Sequence, residues 1–596
     1  MIHGWFASFF YNNWRSVYVA YDAAMLAAMI ITALLCVNAI KGNLEGVGKR
    51  RLIILGIIIL GFLAVELFFV HPTQQLYNDD YIHMSIAKSI VFDNSVGICS
   101  FSSPLHCVPG TSGLFQQPTG WAMMLSPIFA LFGASFASAF AEELALSLIS
   151  IFLAFYVSYM LTGDRNISLI ATLFLAATPL FLTFSRSAIL DTPELTIMLL
   201  GMGLLLTYLK DRKPLYGIAA VFAVAYATIM KVDAIVVLPI IALAVLLNLY
   251  GPLYWKKGWK RRAVMDVAMI ILLIAVMIPQ FAFLYNSWSL NTFGSTTMQG
   301  RFSLANLNQN FLQNVEFWFG AYGSILFGHG YFTYNIEYPT VYAIFAIVGM
   351  VTLAIYGNRR VALFLGLWFA IVFLFYTAYY AGGVLYGAGD DVRYFMSAFP
   401  VMALLAAYGI MGTYKAVEPK LRIVLKAKSA DKKRKIKMAT FAALMIIIML
   451  GPLYGFVHYV AKSPQDIYPF SAERADQQFI MANYHKIPSG CYVMTYQPPL
   501  WYMLNMSNIY ADWFFIGQYK GPLINMSKGC LYFDYSIDCQ TNDIGYDNTS
   551  RGCSNIMSNF TMEKIASQPY DKFGWNTTFA LYKIVSYKNG TSLYKP

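Results

Sequence analysis

Long apolar runs dominate this chain. Residues 52–70 read LIILGIIILGFLAVELFFV, with Glu66 as the single charge, and 361–376 and 441–454 have the same character. Roughly 20 such residues cross a bilayer as a helix, which satisfies every backbone N–H and C=O within the segment. The pattern predicts about twelve spans: 18–40, 52–70, 138–161, 167–184, 194–210, 216–231, 233–250, 264–285, 338–356, 361–380, 397–415 and 438–460. Four long polar stretches interrupt or follow them: 71–137, 286–337, 381–396 and a tail, 461–596. The tail alternates a helix-like stretch (472–485) with strand-like ones (491–496, 530–535, 579–585), the pattern of a small α/β domain. Residues 1–16 are aromatic-rich and too polar to span, and no cleavage site follows a short apolar core.

Composition agrees, since only 12% of residues are charged and 58% are apolar, whereas soluble domains carry about 25% charge. The net charge of +12 would suggest nucleic acid in a soluble protein. Here the basic residues crowd into short loops. Lys41 and Lys49-Arg50-Arg51, then Arg165, Lys210, Arg212 and Lys213, the 256–262 cluster, Arg359-Arg360 and segment 415–437 hold 25 of the 42 Lys and Arg. All fall on one side of the twelve-span count, so the positive-inside rule makes that side cytoplasmic and the long stretches extracytoplasmic. Cysteines and sequons agree. Cys99, Cys107, Cys491, Cys530, Cys539 and Cys553 all lie in the outer segments, an even number on an oxidising face. Cys99 and Cys107 are near enough to pair, while the tail's connectivity stays open. Asn-x-Ser/Thr occurs in the tail at Asn505, Asn525, Asn548, Asn559, Asn576 and Asn589, six glycosylation candidates on one exterior surface.

Charge is costly near a membrane, so its placement is informative. Asp79 and Asp80 follow the second span. Arg186, Asp191 and Glu194 flank the outer turn after the fourth, Lys231 and Asp233 the turn after the sixth. Asp390, Asp391, Arg393 and Tyr394 precede the eleventh, and Glu142-Glu143 open the third. Every group maps to the outer face, acids mixed with cations. Such a mixture suits transfer of a sugar from a lipid phosphate: Arg and Lys bind the phosphate, and a carboxylate deprotonates the acceptor hydroxyl. The bland reading, acids that cap helices or pair structurally, carries about even weight for any single residue.

Two stretches resemble the C-type glycosyltransferase (GT-C) fold, in particular the protein O-mannosyltransferase-like family that includes the bacterial aminoarabinose transferases of lipid A. The first is Asn78-Asp79-Asp80-Tyr81-Ile82-His83-Met84-Ser85-Ile86-Ala87, followed by Gln117-Pro118-Thr119-Gly120-Trp121 and a short interfacial helix over 121–133. Asp80 stands where the family commonly has Glu. The second runs over 165–194, with Thr178-Pro179-Leu180 and then Ser185-Arg186 five residues before Asp191. Weaker similarity continues through Met230-Lys231, Pro279, Tyr285-Asn286 and Phe293-Gly294, so the resemblance covers roughly 52–300. It implies a GT-C transmembrane domain over 1–460, whose first outer loop (71–137) carries the acidic motif, and an extracytoplasmic domain over 461–596. It implies Asp79 as catalytic base with Asp80 as partner, Arg186 as a donor-phosphate ligand, a polyprenyl- or dolichyl-phosphate sugar as donor, and inversion. Topology adds Lys231 and Arg393 as phosphate ligands, and Asp191, Glu194, His83, Asp391 and Tyr394 as substrate-site candidates.

The acceptor, a glycan, lipid or protein, stays open, because the soluble domain is C-terminal here rather than in a loop as in the family's larger eukaryotic members. The sequence lacks Trp-Trp-Asp-Tyr-Gly, which argues against the oligosaccharyltransferase branch. A span also precedes the one leading to Asp79, which places the N-terminus outside or makes 1–19 re-entrant. No cofactor is required on this reading. A divalent cation between the acidic pair and the donor phosphate ranks second, since His71, His83 and His106 match no zinc spacing. An archaeal-type cell membrane and an endoplasmic reticulum membrane both fit the exterior. The alternatives are a secondary transporter, disfavoured by charges at helix ends rather than at the midplane, and a non-catalytic glycan-handling protein. The latter would use aromatic pairs such as Trp501-Tyr502 and Trp513-Phe514.

Overall fold

The structure, a computed structural model, describes residues 2–70, 77–108, 112–113, 119–247, 249, 259–290, 303–319, 338–379, 390–424, 429–460, 471–512, 523–539, 549–572 and 575–593. Helices α1 (Ile2–Leu35), α2 (Val37–Glu45) and α3 (Lys49–Phe68) lead to α4 (Tyr77–Asp93), which carries the acidic motif. Residues 2–19 belong to the single helix α1. Three two-residue strands, β1 (Ile98–Cys99), β2 (Phe101–Ser102) and β3 (Ser112–Gly113), precede the short α5 (Gly120–Phe132). The membrane bundle continues with α6 (Phe136–Thr162), α7 (Arg165–Ala176), α8 (Pro179–Phe184), α9 (Asp191–Asp211), α10 (Pro214–Met230), α11 (Val237–Leu247) and α12 (Trp259–Leu290). It closes with α13 (Leu304–Phe319), α14 (Thr340–Tyr356), α15 (Arg359–Thr377), α16 (Phe399–Val424) and α17 (Ala430–Gly455).

The protein is a multi-pass membrane protein, with eight helices among the described residues long and apolar enough to cross a bilayer. Four of the twelve expected spans are shorter. Expected span 167–184 breaks at Thr178-Pro179 into α7 and α8, since proline lacks the N–H a helix interior needs. Expected span 233–250 opens as a 3-10 turn, Val232–Val236, before the 11 residues of α11. Helices α10 and α14 have 17 residues each, about 25 Å of helix. Burial orders the bundle: 94% of the apolar stretch of α9 is buried, against 17% for α3. Helix α9 is therefore central and α3 turns its side chains outward.

Helices α14 and α16 cross at backbone contact. A Cβ on Gly349 would stand 1.7 Å from the Leu405 carbonyl oxygen, and one on Gly409 1.9 Å from that of Phe345. Small residues permit such close crossings, which gain dispersion contacts where no hydrophobic effect drives helices together.

The C-terminal domain contains α18 (Ser471–Asn483), β4 (Tyr492–Thr495), α19 (Pro498–Met503), β5 (Ser507–Tyr510), β6 (Leu531–Tyr535), α20 (Thr549–Asn559), β7 (Phe560–Lys572) and β8 (Trp575–Tyr587). Its sheet has six strands in the order β2-β5-β4-β6-β8-β7. Strands β5, β4 and β6 are parallel, and the rest are antiparallel. The edge strand β2 comes from the segment between α4 and α5, with Phe101 opposite Ile509. The seam between the two parts of the chain is thus a sheet pairing. Disulfides join Cys99 to Cys107, Cys491 to Cys530 and Cys539 to Cys553. Cys36 is buried and reduced. Asn505, Asn525, Asn559, Asn576 and Asn589 are exposed, and Asn548 lies outside the described residues. Trp501 and Tyr502 are buried core, so they offer no stacking platform to a sugar. Trp513 and Phe514 lie outside the described residues.

Candidate active site

The site grows from the turn between α8 and α9. Arg186 leaves α8 and its Nη1 donates to two main-chain carbonyls at the end of α3, Glu66 O at 2.5 Å and Val70 O at 3.0 Å. Ala188 then takes φ 51°, a left-handed conformation that is costly for a residue with a Cβ. Its carbonyl accepts the indole N–H of Trp121 at 2.8 Å, which ties the strained turn to the short helix α5. Gly120 lets α5 approach α10: a Cβ there would meet the Ile229 carbonyl carbon at 2.7 Å. The turn ends as α9 begins, with Asp191 and Glu194 in its first turn, where the helix dipole favours carboxylates.

Both acids receive cations from elsewhere in the bundle. Lys231, in extended conformation just past α10, donates to Asp191 Oδ1 at 2.6 Å and stands 3.5 Å from Glu194 Oε2. Arg393, from the 3-10 segment Asp390–Ala398, lies 3.9 Å from Asp191 Oδ2. Tyr394 lies under both cations, its ring centroid 4.5 Å from Lys231 Nζ and 5.3 Å from the Arg393 guanidinium carbon. It stacks in turn on Tyr376 at 5.6 Å. Asp191, Glu194, Lys231 and Arg393 are all buried, and a buried pair like this is costly to break, about 3–5 kcal/mol on removing one partner.

Helix α4 adds its motif to this cluster. Asp80 and His83 are three residues apart, hence on one helical face, and both are wholly buried. Asp80 faces Glu143 of α6 across electrostatic range, and His83 faces Asp191 in the same way. The backbone of Asp79 lies in the first turn of α4, while its side chain, like that of Asp391, lies outside the described part.

The structure thus brings Asp80, His83, Asp191, Glu194, Lys231, Arg393 and Tyr394 together, from four segments far apart in sequence. Arg186 is placed differently, against the carbonyl end of α3 and beside the buried Glu66. Glu143 is a member that sequence reasoning did not name as a site residue. Its signal was there: two adjacent acids two turns into an otherwise apolar helix.

Comparison with solved structures fits this architecture. ArnT from Cupriavidus metallidurans in the apo state superposes with a TM-score of 0.54 at 13% identity, over 91% of this chain and 99% of that one. The same protein bound to undecaprenyl phosphate gives 0.52 at 13%, over 92% and 100%. The chain has the C-type glycosyltransferase fold. Within it, residues 116–287 match the family described as dolichyl-phosphate-mannose-protein mannosyltransferase. That segment runs from the approach to α5 to near the end of α12 and includes Arg186, Asp191, Glu194 and Lys231. The archaeal oligosaccharyltransferase AglB from Archaeoglobus fulgidus, in complex with an inhibitory peptide and a dolichol-phosphate, gives a TM-score of 0.48 at 14%, over 91% and 74%. No curated protein matches the chain.

Proposed function

We propose that this protein is a membrane glycosyltransferase. It takes a sugar from a polyprenyl- or dolichyl-phosphate donor and transfers it, with inversion, to a hydroxyl of a glycan, lipid or protein at the extracytoplasmic face. The observation that carries the reading is the buried cluster of Asp191, Glu194, Lys231 and Arg393 at the head of α9, met by the acidic motif of α4. Undecaprenyl phosphate bound to ArnT, and the dolichyl phosphate in the matching family's description, support the donor class. Outer-segment disulfides support the face.

In this reading Asp79 takes the acceptor hydroxyl proton as its oxygen attacks the anomeric carbon. The bond from that carbon to the phosphate oxygen breaks, and the lipid phosphate leaves with the electron pair. Lys231, Arg393 and Arg186 offset the charge that develops on it, and Asp80 holds the acceptor beside the base. A donor phosphate would share Lys231 with Asp191, so donor binding is expected to loosen that pair. The positive charge these residues supply leads us to place metal-independent transfer first, with a divalent cation at the acidic pair as the other course.

The test is turnover of the purified full-length protein with a panel of lipid-phosphate sugars. Asp79→Asn is expected to abolish transfer while the protein stays folded and inserted, and wild-type-like turnover would remove Asp79 as base. Arg186→Ala is expected to raise the donor KM more than it lowers kcat; unchanged donor affinity would remove it as a phosphate ligand. Turnover is expected to survive chelation, and recovery only on adding a divalent cation would install a metal instead.

A further inference from the structure

Helix α4 is held from two sides. Asp80 and His83 face the membrane bundle, as described. Tyr81 and Lys88 are seven residues apart, two helical turns, and share a different face. Tyr81 packs edge-on against Phe136 at the head of α6 and lies within electrostatic range of Asp476 in the C-terminal domain. Lys88 is wholly buried. Its ammonium donates to three acceptors on two segments: Pro104 O at 2.7 Å, and Tyr502 O at 2.6 Å with Asn505 Oδ1 at 2.8 Å at the end of α19. It also stands 4.0 Å over the Tyr502 ring. An ammonium has three protons, so three acceptors saturate it. Burial pushes Lys88 down to about 7, and the Asp93 carboxylate pushes it back up.

Around this amine the outer loop and the C-terminal domain are stitched together. Tyr502 Oη donates to Leu105 O at 2.9 Å, and Asn508 Nδ2 to Ser102 Oγ at 2.7 Å. The Tyr510 N–H donates to Ser100 O at 2.8 Å. Strand β2 completes the sheet, and the Cys99–Cys107 disulfide closes its loop.

We propose that Lys88 is a positioning residue for the reaction, bolting the helix that carries Asp79 and Asp80 to the C-terminal domain, so that this domain sets the geometry of the acidic motif. As positioning for catalysis, the inference rests on the glycosyltransferase reading; the bolt itself does not. A misplacement of about 1 Å from a distant change can cost ~100-fold in rate, which gives a domain outside the bundle a direct hold on turnover.

The experiment measures amide hydrogen exchange across 77–93 and steady-state kinetics, both on the full-length protein. Lys88→Met is expected to speed exchange in that segment by tenfold or more and to leave 136–162 at the wild-type rate. It should lower kcat at least tenfold with the donor KM changed less than twofold, and Lys88→Arg should recover most of kcat. Asn505→Ala and Asn505→Asp both remove the sequon, but only Asp keeps an acceptor for Lys88, so Ala is expected to speed exchange and Asp is not. Equal behaviour of the two Asn505 variants, or wild-type exchange in Lys88→Met, overturns the bolt. Faster exchange of 136–162 together with 77–93 shows general loosening and overturns it too. Faster exchange confined to 77–93 with unchanged kcat overturns positioning alone. If the wild type turns over no lipid-phosphate sugar, the glycosyltransferase reading fails, while the exchange data still decide the bolt.

Discussion

Side chains that pair in the fold were legible in the sequence as charges out of place, but not as pairs. Lys231 and Asp191 stand 40 positions apart and meet at 2.6 Å. A lone Lys after one apolar run and an Asp before another announce a common membrane face and nothing more. The pair yields a sharp expectation. Lys231→Met strands Asp191 in a buried site without its hydrogen-bonded cation, and should cost about 3–5 kcal/mol of stability. Adding Asp191→Asn removes the stranded charge and should recover most of that stability. If the pair serves chemistry, the double variant regains its melting temperature but not its turnover, and thermal melting beside a transfer assay separates the two. Lys88 was missed for a related reason. Eight residues after the acidic motif, it reads as an ordinary solvated lysine until the C-terminal domain covers it.

Helices were the most legible level, because a run of about 20 apolar residues has few other fates. Lengths were less legible. Pro179 divides one expected span, and a 3-10 turn shortens another, since hydropathy averages over breaks that backbone chemistry imposes. A helix too short to span was foreseen over 121–133 and appears as the 13 residues of α5. Helix crossings were not foreseen, for a glycine in an apolar helix looks alike at a crossing and in lipid. Gly349→Ala forces α14 and α16 apart and should lower the detergent melting temperature markedly, with a cost of about 1–3 kcal/mol or more. Gly56→Ala in α3, where a new Cβ meets nothing within 4 Å, is the control. It should be neutral or stabilising by up to about 1 kcal/mol.

The assembled molecule depends on the C-terminal domain, and that domain carries its own pH signature. Two buried carboxyls, Asp534 of β6 and Asp476 of α18, lie together with the half-buried Asp538. Asp534 accepts from Trp501 Nε1 at 2.8 Å and Thr495 Oγ1 at 2.9 Å, and Gln497 Nε2 donates to both Asp476 and Asp538. Burial pushes Asp534 up to about 7 and raises Asp538, while burial and its acidic neighbours raise Asp476. Each folded-state pKa then exceeds the unfolded value of about 3.9, so the folded domain holds these protons more tightly. The contribution of Asp534 to stability is full below about pH 4 and is lost as pH rises through about 7, and the other two act in the same direction. The domain should melt several degrees higher at pH 5 than at pH 8 by calorimetry, and Asp534→Asn should flatten that dependence. A melting temperature that rises with pH over this range would contradict the assignment.

The sequence by itself determined the class of the molecule: a polytopic bundle with a C-terminal α/β tail, and a resemblance to the glycosyltransferase fold that the structural match sustains. Those properties follow from local composition, because hydropathy, loop charge and short motifs act over tens of residues. Only the tertiary structure decided which charges meet, that Arg186 clasps the end of α3, that Glu143 comes within electrostatic range of Asp80, and that the segment between α4 and α5 supplies an edge strand to the tail's sheet. Those are contacts between residues up to hundreds of positions apart. Their free energy comes from geometry achieved after the chain closes on itself, and no local pattern records it.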